Sequence, residues 1–178
     1  FGKSLLVSTL KSYFEGRKDL FRGLAMERLE TEWTEYPVFH IDFNGADFTK
    51  GNALEEKLEG YLGEWEALYG KNPLYKDLGN RFMHVIKAAH ATTGRRVVVL
   101  IDEYDKPMLD VLDTDYTGLA DGKELSLEEK HRNILKGFYS VFKSADAHLR
   151  FVLLTGVTKF SQVSVFSGFN QPDDISMD

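Results

Sequence analysis

No cysteine occurs anywhere in the 178 residues. Disulfides and thiolate-ligated metal sites are therefore excluded, which fits a reducing cytoplasm. Long apolar runs are missing too. The longest, Val97 to Ile101, falls far short of the ~20 residues that span a bilayer, and no signal-peptide pattern opens the chain. Nor is there an excess of positive charge. With 22 Lys and Arg against 28 Asp and Glu the net charge is -6, which argues against binding nucleic acid through bulk electrostatics. Internal repeats, low-complexity tracts and linkers are absent. What is present is ordinary globular composition, 43% hydrophobic, and length for one domain with a substantial core. The chain has no initiator Met and stops at Ser176-Met177-Asp178. We therefore read residues 1–178 as a single domain within a longer protein.

The apolar positions alternate between two periods. Leu6, Leu10, Tyr13 and Phe14 fall on one helical face ahead of Gly16, a C-terminal cap by position. After a polar stretch, Pro37 to Phe43 alternates as a strand does and ends at Asn44-Gly45. Leu54, Leu58, Tyr61, Leu62, Trp65 and Leu68 trace a helical stripe closed by Gly70. Leu74, Leu78, Phe82, Val85, Ile86 and Ala89 trace another, up to Thr93-Gly94. Val97 to Ile101 is apolar throughout, as a strand covered on both faces should be. Asp113 to Glu124, polar and containing glycine, reads as a surface loop. Ser126-Leu127-Glu128-Glu129 is a capping box for a helix carrying Ile134, Leu135, Phe138, Val141 and Phe142. Phe151 to Leu154 is a second fully apolar strand. Helices alternating with strands imply a parallel sheet with helices on both faces.

In such sheets ligands bind beyond the carboxyl ends of the strands. Val97 to Ile101 leads straight into Asp102-Glu103, the form of a Walker B motif. Magnesium prefers oxygen ligands, so a carboxylate beside phosphate oxygens suits it, and an adjacent glutamate can activate the attacking water. An acidic pair after an apolar strand is also what a solvated strand end looks like. The chain, however, opens with Gly2-Lys3-Ser4 at the head of a helix, the closing three residues of a phosphate-binding P-loop. Lys3 would reach the β- and γ-phosphates and Ser4 would ligand magnesium, with the helix N-terminus favouring the anion. The two signals stand in the order that P-loop ATPases require. Thr155, at the tip of the Phe151 strand, occupies the place of a residue sensing the γ-phosphate, or simply begins a Thr-Gly turn. Lys159 is a weaker candidate still and reads first as a surface lysine.

The stretches FGKSLLVSTLKSYFEG, VVVLIDEYDKP and FVLLTGVTKFSQVSVFSGFN closely resemble the AAA-ATPase-like family of bacterial proteins. The similarity runs through essentially the whole chain. It implies an α/β fold, a three-layer α/β/α P-loop core with a mainly parallel sheet, and ATP and Mg2+ as ligands. It also places a first strand and the rest of the phosphate loop ahead of Phe1, and a nuclease-like PD-(D/E)XK domain after the core. The strands Val38, Val97 and Phe151 should then lie side by side in that order. AAA-type ATPases often complete their site with a neighbour's arginine, which would make a homo-oligomer.

Other constellations fail. His40, His84, His90, His131 and His148 have no metal-ligand spacing and read as structural or surface residues. Asp121-x-Lys123 and Glu128-x-Lys130 match the tail of a nuclease motif but lie outside any core strand. Asp105 and Lys106 either line the nucleotide site or pair with each other beside Pro107. Two functions remain: an ATP-binding and ATP-hydrolysing core coupled to a partner or to the nuclease-like domain, or a scaffold of the same fold without hydrolysis. In either, nucleic acid would be met only through the rest of the protein, and no membrane is involved.

Overall fold

A run of β-branched and apolar residues too short for a helix can be satisfied only in the middle of a sheet. Val97–Asp102 forms strand β2, buried at every position. The structure, a computed structural model, describes residues 2–157. Strand β1 (Val38–Asp42) pairs in parallel with one side of β2. Strand β5 (Leu149–Leu154) pairs in parallel with the other. The order β1-β2-β5 is the side-by-side arrangement expected from the family. β5 is less buried than its apolar sequence suggests because, among the described residues, β2 is its sole strand neighbour.

Alternation along each strand sorts its side chains between two layers. On one face Val98 and Leu100 meet Val7 and Phe14 of helix α1 (Lys3–Phe14), joined by Val38, Phe151 and Leu153. On the other, Phe39, Ile41, Val97, Val99 and Ile101 pack against helices α3 (Ala53–Tyr69), α4 (Leu78–Thr93) and α6 (Leu127–Tyr139). The short helix α7 (Val141–Ser144) adds Val141 and Phe142 to this larger core. Ring stacking ties β1 to α3 and α4 to α6: the Phe39 and Trp65 ring centres lie 4.3 Å apart and those of Phe82 and Phe138 4.1 Å apart, each pair nearly parallel. Truncating such a ring to alanine costs about 3–5 kcal/mol. Between α1 and β1 the chain makes a one-turn 3-10 helix (Lys18–Phe21) and the short α2 (Ala25–Leu29).

The helix starts obey their signals. Ser126 caps α6 by accepting from the Glu129 N–H at 3.1 Å, and Asp77 caps α4 by accepting from the Asn80 N–H. Gly16 ends α1 with φ +71, and a Cβ there would lie 2.8 Å from the Trp33 carbonyl, so neither the conformation nor the space admits another residue.

Three details of the expected pattern are corrected. Val7, not Leu6, is the buried position of the first turns of α1, while Leu6 faces outward. Leu68 and Leu74 are exposed, the latter lying ahead of α4 altogether. The polar segment expected to be a loop instead contains a hairpin, β3 (Thr117–Ala120) and β4 (Lys123–Ser126). Its two-residue turn, Asp121-Gly122, has positive φ at both residues, as a type I′ turn demands. Preceding it is the one-turn α5 (Lys106–Leu109). Among the described residues no helix is long and apolar enough to cross a membrane.

Candidate functional site

Strand parity decides what meets at the carboxyl edge of the sheet. Val98 and Leu100 face α1, so Asp102, two residues further, faces it too. The same count along β5 carries Phe151, Leu153 and then Thr155 to that face. Helix α1 begins over this edge. One carboxyl group therefore receives two hydroxyls: Ser4 donates to Asp102 Oδ2 at 2.9 Å, and Thr155 donates to Oδ1 at 2.6 Å. Asp102 is almost fully buried. Lys3 donates to the Gly156 carbonyl at 2.9 Å and its Nζ lies 3.4 Å from Glu103 Oε1.

Gly2, the N-cap of α1, has open space around it, and the first turn carries no acidic residue. The N-terminus of α1, where the first-turn N–H groups have no partner within the helix, thus lies at this edge without a carboxylate of its own helix beside it. Gly2, Lys3, Ser4, Asp102, Glu103 and Thr155 are brought to one place by the fold. Lys159 lies outside the described residues.

Glu103 sits in the left-handed region at φ +57. For a residue with a Cβ this conformation costs about 1–2 kcal/mol. It is held by its neighbours: the Asp102 carbonyl accepts from the Phe43 N–H, and the Tyr104 N–H donates to the Thr155 carbonyl. Non-glycine residues kept in sparsely populated conformations gather at functional sites.

The Asp105–Lys106 ion pair does not form. Lys106 turns along α5 to Asp110, 2.6 Å away, whereas Asp105 is fully buried and accepts from the Val157 N–H at 3.1 Å.

Two participants were not singled out from the sequence. Asp42 ends β1 as the Cα partner of Asp102 and on the same face. Its carboxyl accepts from the backbone and side-chain amides of Asn44, at 2.8 and 2.9 Å. The alternation of Val38 to Phe43, carried on to the polar residue at the strand's carboxyl end, would have found it. The other is the Gly156 carbonyl, which no side-chain pattern could reveal.

The histidines stand where a structural reading puts most of them. His131 is buried with Nε2 2.8 Å from the Phe48 carbonyl, and burial pushes its imidazole below the ordinary range. His40 lies under the site on the α1 face, lowered by burial against the opposing pull of Asp42 and Asp102. His90 and His148 meet through their Nδ1 atoms at 2.8 Å. Among the described residues no group of three or more His, Cys, Asp or Glu could hold a metal. A cation at this edge would rest on Ser4, Asp102 and oxygens from outside the protein. Those are hard oxygen donors, and magnesium is the ion that keeps few protein ligands and completes its shell with water and phosphate.

A family model described as a predicted AAA-ATPase matches residues 1–166. A protein of Azotobacter chroococcum mcd 1, described as an uncharacterized protein in the vnfD 5' region, is 42% identical over 179 residues. That alignment takes in all of this chain and 33% of the relative, so the chain spans about a third of its length. No solved structure matches. With the family model covering nearly the whole chain, and with a parallel α/β sheet beneath it, the chain belongs to the AAA-ATPase-like family.

Proposed function

We propose that this chain is the nucleotide-binding core of a magnesium-dependent ATPase, with Gly2-Lys3-Ser4 as the end of a Walker A loop and Asp102-Glu103 as a Walker B pair. The observation that carries the reading is the double acceptance at Asp102, from Ser4 at 2.9 Å and Thr155 at 2.6 Å, beside the Lys3–Glu103 contact. A serine, a lysine, two carboxylates and a threonine from three distant segments have no packing reason to converge on a sheet edge.

Each group has a role that its chemistry permits. The Lys3 ammonium leaves Glu103 and the Gly156 carbonyl for the β- and γ-phosphates, while the first-turn N–H groups of α1 bind further phosphate oxygens. Ser4 and Asp102 would hold magnesium in place of their mutual hydrogen bond, and the ion would neutralise charge on the phosphate oxygens. Glu103, freed of Lys3, accepts a proton from the attacking water. Thr155 donates its hydroxyl to the γ-phosphate or to that water. The work driven by turnover lies in a partner or in a C-terminal nuclease-like domain of the full-length protein, in a bacterial cytoplasm.

Thermal denaturation of the full-length protein with ATP and magnesium tests the reading. Binding at one hundred times Kd stabilises by roughly 2.7 kcal/mol, a shift that Lys3→Ala should abolish. Phosphate release then reports hydrolysis. No stabilisation by ATP and magnesium would overturn the proposal, and stabilisation without phosphate release would leave the scaffold reading in its place.

A further inference from the structure

We propose that Asp105 is a positioning residue for this phosphate site, acting through the Thr155-Gly156-Val157 exit of β5. The inference rests on the reading that Lys3 and Thr155 line the site.

Aspartate is almost never fully buried without a purpose for its oxygens. Asp105 occupies the N-cap position of α5, where its side chain would ordinarily accept from an N–H of its own helix, yet it makes no such bond. The carboxyl turns instead toward β5, and Oδ2 accepts from the Val157 N–H at 3.1 Å. Three consecutive residues are thereby fastened to Tyr104-Asp105. The Thr155 carbonyl accepts from the Tyr104 N–H at 2.9 Å, and Val157 is bound to Asp105. Between them Gly156 presses so close that a Cβ would lie 2.5 Å from a Tyr104 ring carbon and 2.6 Å from Asp105 Oδ1. Glycine is required here for space, since its φ is not in the left-handed range.

The platform is itself anchored. The Tyr139 hydroxyl donates to the Tyr104 carbonyl at 3.0 Å from a fully buried position. Burial, reinforced by the nearby Asp105, pushes that phenol well above its usual range, so it remains a donor.

The fastened segment supplies two of the site's contacts. Its Gly156 carbonyl holds Lys3, and its Thr155 hydroxyl holds Asp102. The first contact is given up when Lys3 engages phosphate, whereas Thr155 must stay placed during turnover. Loss of the Asp105 bond should therefore be felt in kcat far more than in nucleotide affinity.

The test compares Asp105→Ala, Asp105→Asn and Gly156→Ala with wild type in the full-length protein. It reads ATP-magnesium affinity by calorimetry, kcat by phosphate release, and exchange of the Val157 amide with deuterium. Asp105→Ala should lower kcat by roughly ten- to a hundred-fold, the cost of a small misplacement, with Kd nearly unchanged and the Val157 amide exchanging faster. Asp105→Asn keeps an acceptor oxygen at the same point and should recover most of kcat. Gly156→Ala reaches the same contact from the other side and should reproduce the loss, which keeps the test decisive should Asp105→Ala not fold. A wild-type kcat in either alanine variant, with faster exchange at Val157, would make Asp105 merely structural and overturn the inference. Wild-type protein that neither binds nor hydrolyses ATP would overturn the proposed function instead, and this one with it.

Discussion

Ser4 and Asp102 stand 98 residues apart in the chain, and their side chains share a hydrogen bond of 2.9 Å. The bond joins the first turn of α1 to the tip of the central strand. It exists because α1 covers the face on which Asp102 falls by strand parity. The same carboxyl reaches Thr155, so one residue links all three segments of the candidate site.

Glu103→Gln in the full-length protein should leave ATP binding nearly intact and slow hydrolysis by roughly 10²-fold or more, as loss of a positioned general base does. Calorimetry and phosphate release measure the two separately. Wild-type turnover in this variant would remove Glu103 from the role of base.

Glu103→Gly should slow turnover in the same way and also raise stability. Glycine adopts φ near +57 without strain, so relief of the left-handed conformation should raise unfolding free energy by about 1 kcal/mol. The lost contact with Lys3 is partly exposed and offsets little of this. Urea denaturation decides: a less stable variant would show that Glu103 is not strained.

Arg81 and Glu66 form a buried ion pair between α4 and α3, with side chains 7% and 5% exposed, and Arg81 also binds the half-exposed Glu59. Arg81→Ala leaves the Glu66 charge buried and should cost about 3–5 kcal/mol. Glu59→Ala leaves the buried pair whole and should cost less than about 1 kcal/mol. Equal losses in urea melts of the two variants would contradict this division.

Between about pH 7 and pH 5 the pH dependence of stability comes from the histidines. Burial lowers His40, His131 and His148, the last helped by His90 and Lys87. A histidine whose folded pKa lies below its unfolded value binds its proton more readily in the unfolded chain. Its stabilisation is present above the unfolded value of about 6.5 and is lost as pH falls through the lowered one. Unfolding free energy should therefore decline between about pH 7 and pH 5, and His131→Gln should flatten that slope. An unchanged slope in the variant would show that His131 does not titrate on unfolding.

Much of the fold was legible because local chemistry decided it. The apolar run of β2 could only be a covered strand, and the stripes of α3 and α4 could only be helices with one buried face. Ser126 announced the start of α6. The hairpin turn Asp121-Gly122 was written there as well, but the polar composition around it outweighed the two-residue signal. Leu68 and Leu74 show the limit of periodicity: an apolar position is buried only where a neighbour reaches it, and both remain exposed, Leu74 ahead of its helix.

The site divides along the same line. Gly2-Lys3-Ser4 and Asp102-Glu103 are visible in the sequence as chemistry waiting at the ends of elements. Which ends meet is a matter of register across the sheet. Asp42, Asp102 and Thr155 share a face because β1, β2 and β5 are parallel and aligned, and a slip of one residue would send each side chain to the opposite layer. The Gly156 carbonyl and the partner that Asp105 finds in Val157 belong wholly to that tertiary level. A backbone oxygen has no sequence signature, and a carboxyl group turns from its own helix to another strand only when packing brings that strand within hydrogen-bonding distance.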